Sequence, residues 1–316
     1  MSYFNAAAED QQPRLLNDSE RFEELLALTE SFGLDATNPP SCLSRNLVVR
    51  GLRFNLLEWS PAGEVSAATE RPVLFLVHGG AVSAHTWDIV ALQLARHYRV
   101  IAPDIRGHGD SEWPRDGDSD HHEMMEDLAA LVGELELPPV VAVGHSLGGA
   151  LVERLALGYP QLVRAIAIVD FTPEPNYPGL PAGKIRLFDS IEHYAERAAR
   201  YGNRQPAELL YAAKHELLQR LDGKLMPKHD PRHVMGGPDP EYYPGTPSFE
   251  QMSAVQVPAL VLWGSESFFV TDEKCQRLAD AMPRGEAAVI TGAGHQLFLE
   301  RPAQFIDLLE QFVRSV

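Results

Sequence analysis

Cysteine is nearly absent. The 316-residue chain has two, Cys42 and Cys275, far apart in sequence. No disulfide framework is implied, a reducing compartment fits, and each thiol is expected to be buried or half-buried. Positive charge is also scarce: 27 Lys and Arg stand against 44 Asp and Glu, a formal charge of −17. Such a surface speaks against nucleic acid and anionic membrane as partners. No apolar run approaches the roughly 18 residues of a membrane span. Residues 1–12 are polar and acidic, without the apolar stretch of a signal peptide. A soluble, cytoplasmic protein is expected. HExxH and CxxC signatures are missing, and the adjacent His121 and His122 cannot share a helix face. No metal or cofactor is therefore expected.

What is present suits one large α/β domain carrying an insertion, or two small domains. Hydrophobic residues make up 45% and charged residues 22%, enough for a sizeable core. Asn17-Asp18-Ser19 can cap a helix with Phe22, Leu25, Leu26 and Leu28 on one face, ending near Gly33. Three placements are open to it: against the body, over a pocket mouth, or in a homodimer contact. Asn38-Pro39-Pro40 is a stop. Two strand-like runs around Gly51 predict a hairpin. Short apolar runs at 72–77, 98–102, 140–143 and 162–169 then alternate with helical periodicity at 86–97, 118–135 and 150–159. That alternation predicts a parallel sheet with helices on both faces. The pattern breaks from Phe171 to about Ala254. Residues 185–201 and 206–221 read as helices there, and 223–248 as a long loop rich in Pro, Gly, His and Tyr, expected to be functional. Strand and helix signals return at 257–263, 272–282, 287–291 and 302–313. The expected organisation is a tail and helix at 1–42, a core at 43–170 and 255–316, and a cap at 171–254.

The chemistry concentrates at Gly144-His145-Ser146-Leu147-Gly148, a G-x-S-x-G turn between a predicted strand and helix. A serine there holds strained backbone angles and projects its hydroxyl above the sheet. A serine hydroxyl needs a base and the base needs an orienting acid. Of the 12 histidines, His295 is best placed, between the last strand and last helix in Gly292-Ala293-Gly294-His295. His145, adjacent to Ser146, is read as a packing residue. Two N–H groups are needed for an oxyanion. Leu147 supplies one, and the turn His78-Gly79-Gly80-Ala81 the other, from Gly80 in preference to Ala81.

The order of His78-Gly79-Gly80, Asp104-x-Arg106-Gly107-x-Gly109-x-Ser111, the Ser146 elbow and Gly292-x-Gly294-His295 resembles the α/β-hydrolase fold family over residues 45–316. The resemblance implies an α/β-hydrolase fold: a mostly parallel eight-stranded sheet flanked by helices, with a cap inserted after the sixth strand. It also implies Ser146 as nucleophile, His295 as base, and a structural role for the Asp104 loop. The family's usual acid position, three residues past the glycine that ends the seventh strand, holds Ser267 instead of aspartate. Asp170, at the end of the sixth strand, is the preferred substitute, with Glu266 as the alternative acid and Asp272 third. Phe171, Phe268, Phe269 and Phe298 are either pocket-lining or core. The expected function is a serine hydrolase cleaving an ester or lactone of a small, largely apolar compound. The alternatives are a carbon–carbon bond hydrolase, a hydroxynitrile-lyase-like enzyme, and a catalytically weak ligand-binding member of the fold.

Overall fold

The computed structural model describes residues 13–62, 71–175, 186–232 and 246–316. Its central sheet grows from the short apolar runs. β1 is Arg14–Leu15, β2 Ser41–Val49, β3 Leu52–Ser60, β4 Val73–Val77 and β5 Arg99–Pro103; β6 is Val140–His145 and β7 Val163–Val169. After a small separate pair, β8 (Leu217–Gln219) and β9 (Leu225–Pro227), come β10 (Ala259–Gly264) and β11 (Gly285–Ile290). The sheet order is β1-β2-β3-β5-β4-β6-β7-β10-β11. Pairs from β1 through β3 to β5 are antiparallel, and those from β5 through β4 to β11 are parallel. Every residue of β4 and β6 is buried, as expected of strands covered on both faces.

Eight of the nine strands are those expected. The ninth, β1, pairs Arg14 and Leu15 with Ser44 and Leu43. Its two residues are exposed, so it has no hydrophobic alternation by which a sequence could announce it. The β2–β3 hairpin turns at Arg50 and Gly51, both at positive φ (49° and 81°), the geometry that matches the strand twist.

Helices cover both faces. Val73, Phe75 and Val77 of β4 join one core with α3 (His121–Glu134), α4 (Leu147–Gly158) and α7 (Asp272–Ala281). Leu74 and Leu76 point the other way, into a core with α1 (Glu20–Ser31), α2 (Asp88–Leu94), α8 (Leu297–Glu300) and α9 (Pro302–Ser315). The two-residue period of a strand produces this split directly. The Ser19 hydroxyl caps α1 by accepting from Phe22 N–H at 3.2 Å. Phe22, Leu25 and Leu28 then pack on the body, with Phe22 6.1 Å from the Trp59 ring. The first of the placements open to this helix, packing on the body, is seen in the structure. Cys42 and Cys275 are both free and buried.

Between β7 and β10 lie α5 (Ile191–Ala198) and α6 (Pro206–Glu216). The expectation of no strand in this region is corrected by β8 and β9. The helix expected over 206–221 stops at Glu216, because Leu217-Leu218-Gln219 pairs with residues 225–227. A short apolar run fits either a helix turn or a strand, and the hairpin partner decides. The tail 1–12, loop residues 63–70, Ile185 and residues 233–245 of the long loop lie outside the described residues.

Candidate active site

Ser146 sits between the last residue of β6 and the first of α4, at φ 53° and ψ −115°. Its N–H donates to Val169 C=O at 2.9 Å, which ties the turn to the next strand. A side chain at Gly148 would bring its Cβ within 2.2 Å of Val77 C=O, so only glycine lets α4 start this close to β4. Leu147 N–H lies in the first helical turn, where no intrahelical acceptor exists. The loop after β4 runs beside the elbow: a Cβ at Gly79 would lie 3.3 Å from Ser146 Cβ. His78 fixes that loop. Its Nε2 accepts from Ile105 N–H at 3.1 Å, so Nδ1 carries the proton and donates to Gly79 C=O at 2.7 Å. Asp104 supports the same loop. Its Oδ1 accepts from Ala84 N–H at 2.7 Å, and its Oδ2 from Asn55 Nδ2 at 2.8 Å and Asp110 N–H at 2.9 Å. The Asp104-to-Ser111 segment thus makes scaffold contacts.

Asp170 follows β7 at φ 50°, fully buried, with its N–H on Leu262 C=O at 2.7 Å. Three donors meet its carboxylate. Gly264 N–H reaches Oδ1 at 3.1 Å, and both the Ser267 hydroxyl and His295 Nδ1 reach Oδ2 at 2.6 Å. An ionised carboxylate only accepts, so Nδ1 carries the imidazole proton and Nε2 keeps its lone pair. Ser267 Oγ in turn accepts from Phe269 N–H at 3.1 Å. The hydroxyl at the family's usual acid position therefore serves the carboxylate on the neighbouring strand. Glu266 is exposed and shapes the loop through its N–H to Ala293 C=O. Asp272 accepts from the Trp263 indole at 2.5 Å, and the cap of α7 is Thr271 rather than Asp272. Among the described residues no hydrogen bond joins Glu266 or Asp272 to His295.

His145 does more than pack. Its Nε2–H donates to His295 C=O at 2.9 Å, and the two rings lie 4.6 Å apart. The loop bearing His295 is thereby tethered to the residue before Ser146. Burial first, then the repulsion a proton here would meet from the neighbouring His295 ring, holds His145 well below the ordinary histidine range. It is neutral there and does not compete as a base. Of the four phenylalanines, Phe171 and Phe298 are core, Phe298 stacking on Trp87 at 4.3 Å. Phe269 is buried 4.6 Å from the His295 ring, and Phe268 lies 5.3 Å from it, 45% exposed. Sequence reasoning passed over Ser267 and His145 as contributors. The available signal was a hydroxyl at the acid position paired with an aspartate ending the adjacent strand.

A model of the alpha/beta hydrolase family matches residues 74–308. The chain is 27% identical over 303 residues to the Mycobacterium tuberculosis esterase Rv0045c, covering 90% of this chain and 98% of the other. It is 25% identical over 284 residues to the mouse sn-1-specific diacylglycerol lipase ABHD11, with 83% and 85% covered. A solved structure of the Mycobacterium tuberculosis esterase superposes with a TM-score of 0.75 at 23% identity, over 94% of this chain and 99% of that one.

Proposed function

The chain belongs to the alpha/beta hydrolase family, and from that premise we propose that it is a serine hydrolase cleaving a carboxylic ester or lactone of a small, largely apolar compound. The observation that carries the reading is the 2.6 Å contact of His295 Nδ1 with buried Asp170, which leaves Nε2 free to take a proton. Ser146 Oγ attacks the carbonyl carbon while His295 Nε2 accepts its proton. The imidazolium so formed is stabilised by Asp170, which stays ionised. Gly80 and Leu147 N–H groups hold the oxyanion, each such donor being worth about 3 kcal/mol in the transition state. His295 then protonates the departing alcohol, activates a water against the acyl-enzyme, and returns the proton to Ser146 as the acid leaves. The relatives named as an esterase and a lipase support an ester over other activated carbonyls. In the same reading, residues 171–254 form a cap over residues 43–170 and 255–316. Two buried free thiols suit a reducing compartment such as the cytoplasm.

The test is hydrolysis of p-nitrophenyl butyrate by the wild type beside Ser146→Ala. Turnover should fall at least about 10³-fold in the variant while the circular dichroism spectrum is unchanged. A fluorophosphonate should label Ser146 and no other residue. Turnover that survives in Ser146→Ala would end the acyl-enzyme reading.

A further inference from the structure

A second cluster of chemistry lies away from Ser146, where α6 meets the start of α2. His85 and Asp88 are three residues apart, and Tyr211 and His215 four apart on α6. Each spacing puts its pair on one helical face, and the two faces meet. The His85 and His215 rings lie 3.8 Å apart, and Tyr211 OH donates to Asp88 Oδ2 at 2.6 Å. His85 Nδ1 sits 2.8 Å from the same oxygen. Asp88 is 2% exposed and His215 5%. Among the described residues, Asp88 Oδ1 and His215 Nε2 are buried with no hydrogen-bond partner. Two such orphans in one contact leave a desolvation cost that no hydrogen bond offsets.

We propose that His85, Asp88 and His215 form a binding site for a divalent transition-metal ion of the zinc type. Each offers a donor atom within 4.8 Å of the other two. Donors held tetrahedrally at about 2.0–2.2 Å from zinc stand about 3.4 Å apart. Closure onto an ion therefore asks for donor shifts of about 1 Å and a turn of the two imidazoles, now face to face at 32°, so that their in-plane lone pairs converge. Two imidazoles and a carboxylate are the ligand chemistry of zinc, with water completing the tetrahedron. The ion takes the place of the proton between His85 Nδ1 and Asp88: on a neutral ring that proton is carried on Nε2 instead, and from an imidazolium one proton is released to solvent. Burial first, then the facing His85, keeps His215 neutral with a lone pair to offer. A cavity of about 590 Å³ has His85, Asp88, Tyr211 and His215 on its wall, and none of Ser146, His295 or Asp170. Asp18, Glu20 and Asp110 also line it, against Arg14 and Arg21, so the wall is negative on balance once Asp88 is counted. No local pattern announces this site, because its two halves are more than 120 residues apart (Asp88 and Tyr211 are separated by 123). Bound metal would pin α6, in the segment between β7 and β10, to the core.

The experiment is a titration of metal-stripped, full-length protein with Co²⁺, then Zn²⁺, followed by absorption and calorimetry. The expected result is one equivalent bound, the visible absorption of tetrahedral Co²⁺, and displacement by Zn²⁺. Asp88→Asn and His215→Gln should each weaken binding at least about ten-fold. Binding equal in the wild type and both variants would identify adventitious surface histidines and overturn the proposal, as would absence of saturable binding. Should either variant misfold, zinc-edge X-ray absorption on the wild type decides: two imidazole ligands support the site, and one or none refutes it. None of these readouts requires hydrolase activity, so the site and the proposed reaction stand or fall separately.

Discussion

At Asp170 three donors converge on one carboxylate, and one of them, Ser267, stands where the fold's usual acid would be. In the proposed reaction Asp170 serves as the acid from the neighbouring strand end, and its carboxylate stays near His295 because β7 and β10 are hydrogen-bonded neighbours. Asp170→Asn should therefore lower turnover by about 10⁴-fold, as loss of a triad acid does through the imidazole tautomer. Glu266→Gln should leave it within about two-fold, since the side chain is exposed. Ser267→Ala should fall between, about ten-fold, by removing one charge-assisted hydrogen bond from Asp170. Steady-state kinetics on p-nitrophenyl butyrate measures all three, and equal losses in Asp170→Asn and Glu266→Gln would refute the assignment of the acid.

At the scale of the element, α4, which begins right after Ser146, carries an unusual burden. Glu153 on its inner face is fully buried, and neither carboxyl oxygen has a hydrogen-bond partner among the described residues. Burial pushes this carboxyl well above the usual range, with Arg154 opposing more weakly. The sign follows. Above the unfolded value near 4.5 the unfolded chain has released a proton that the folded chain still holds. Stability therefore falls as pH rises through that value toward the folded one. Glu153→Met keeps the volume and removes the group. Its melting temperature should exceed the wild type's at pH 8 by a few degrees, about 2–4 °C per kcal/mol, and the gap should shrink toward pH 5. A gap that grew on acidification would show that Glu153 is ionised and paired in the folded state.

Taken as a whole molecule, the chain carries −17, and that field acts on whatever approaches. A neutral ester should be hydrolysed with a kcat/KM nearly independent of ionic strength. The mono-anionic p-nitrophenyl hemisuccinate should be disfavoured several-fold at about 0.01 M salt and recover by about 0.5 M, as the Debye length contracts from about 30 Å to a few ångström. Parallel salt titrations of the two esters measure it. An anionic ester preferred at low salt would point instead to a local cationic patch at the site.

Much of this architecture was legible in local sequence. The buried runs at Val73–Val77 and Val140–His145, the Ser146 elbow, the Ser19 cap and the Asp170 strand end each declare themselves within a few residues. Periodicity, turn chemistry and backbone strain are short-range properties, and the sequence by itself determined them. Only the tertiary structure decided what depends on which distant segments meet. The exposed β1 joins the sheet through backbone hydrogen bonds that side chains do not encode. Residues 217–219 leave the helical state for a partner at 225–227. Ser267 turns its hydroxyl to a carboxylate 97 residues earlier, His145 reaches the carbonyl of His295, and His85 meets His215 across two elements. Each is a contact between groups remote in sequence, fixed by strand order and helix packing, and no local pattern carries that information.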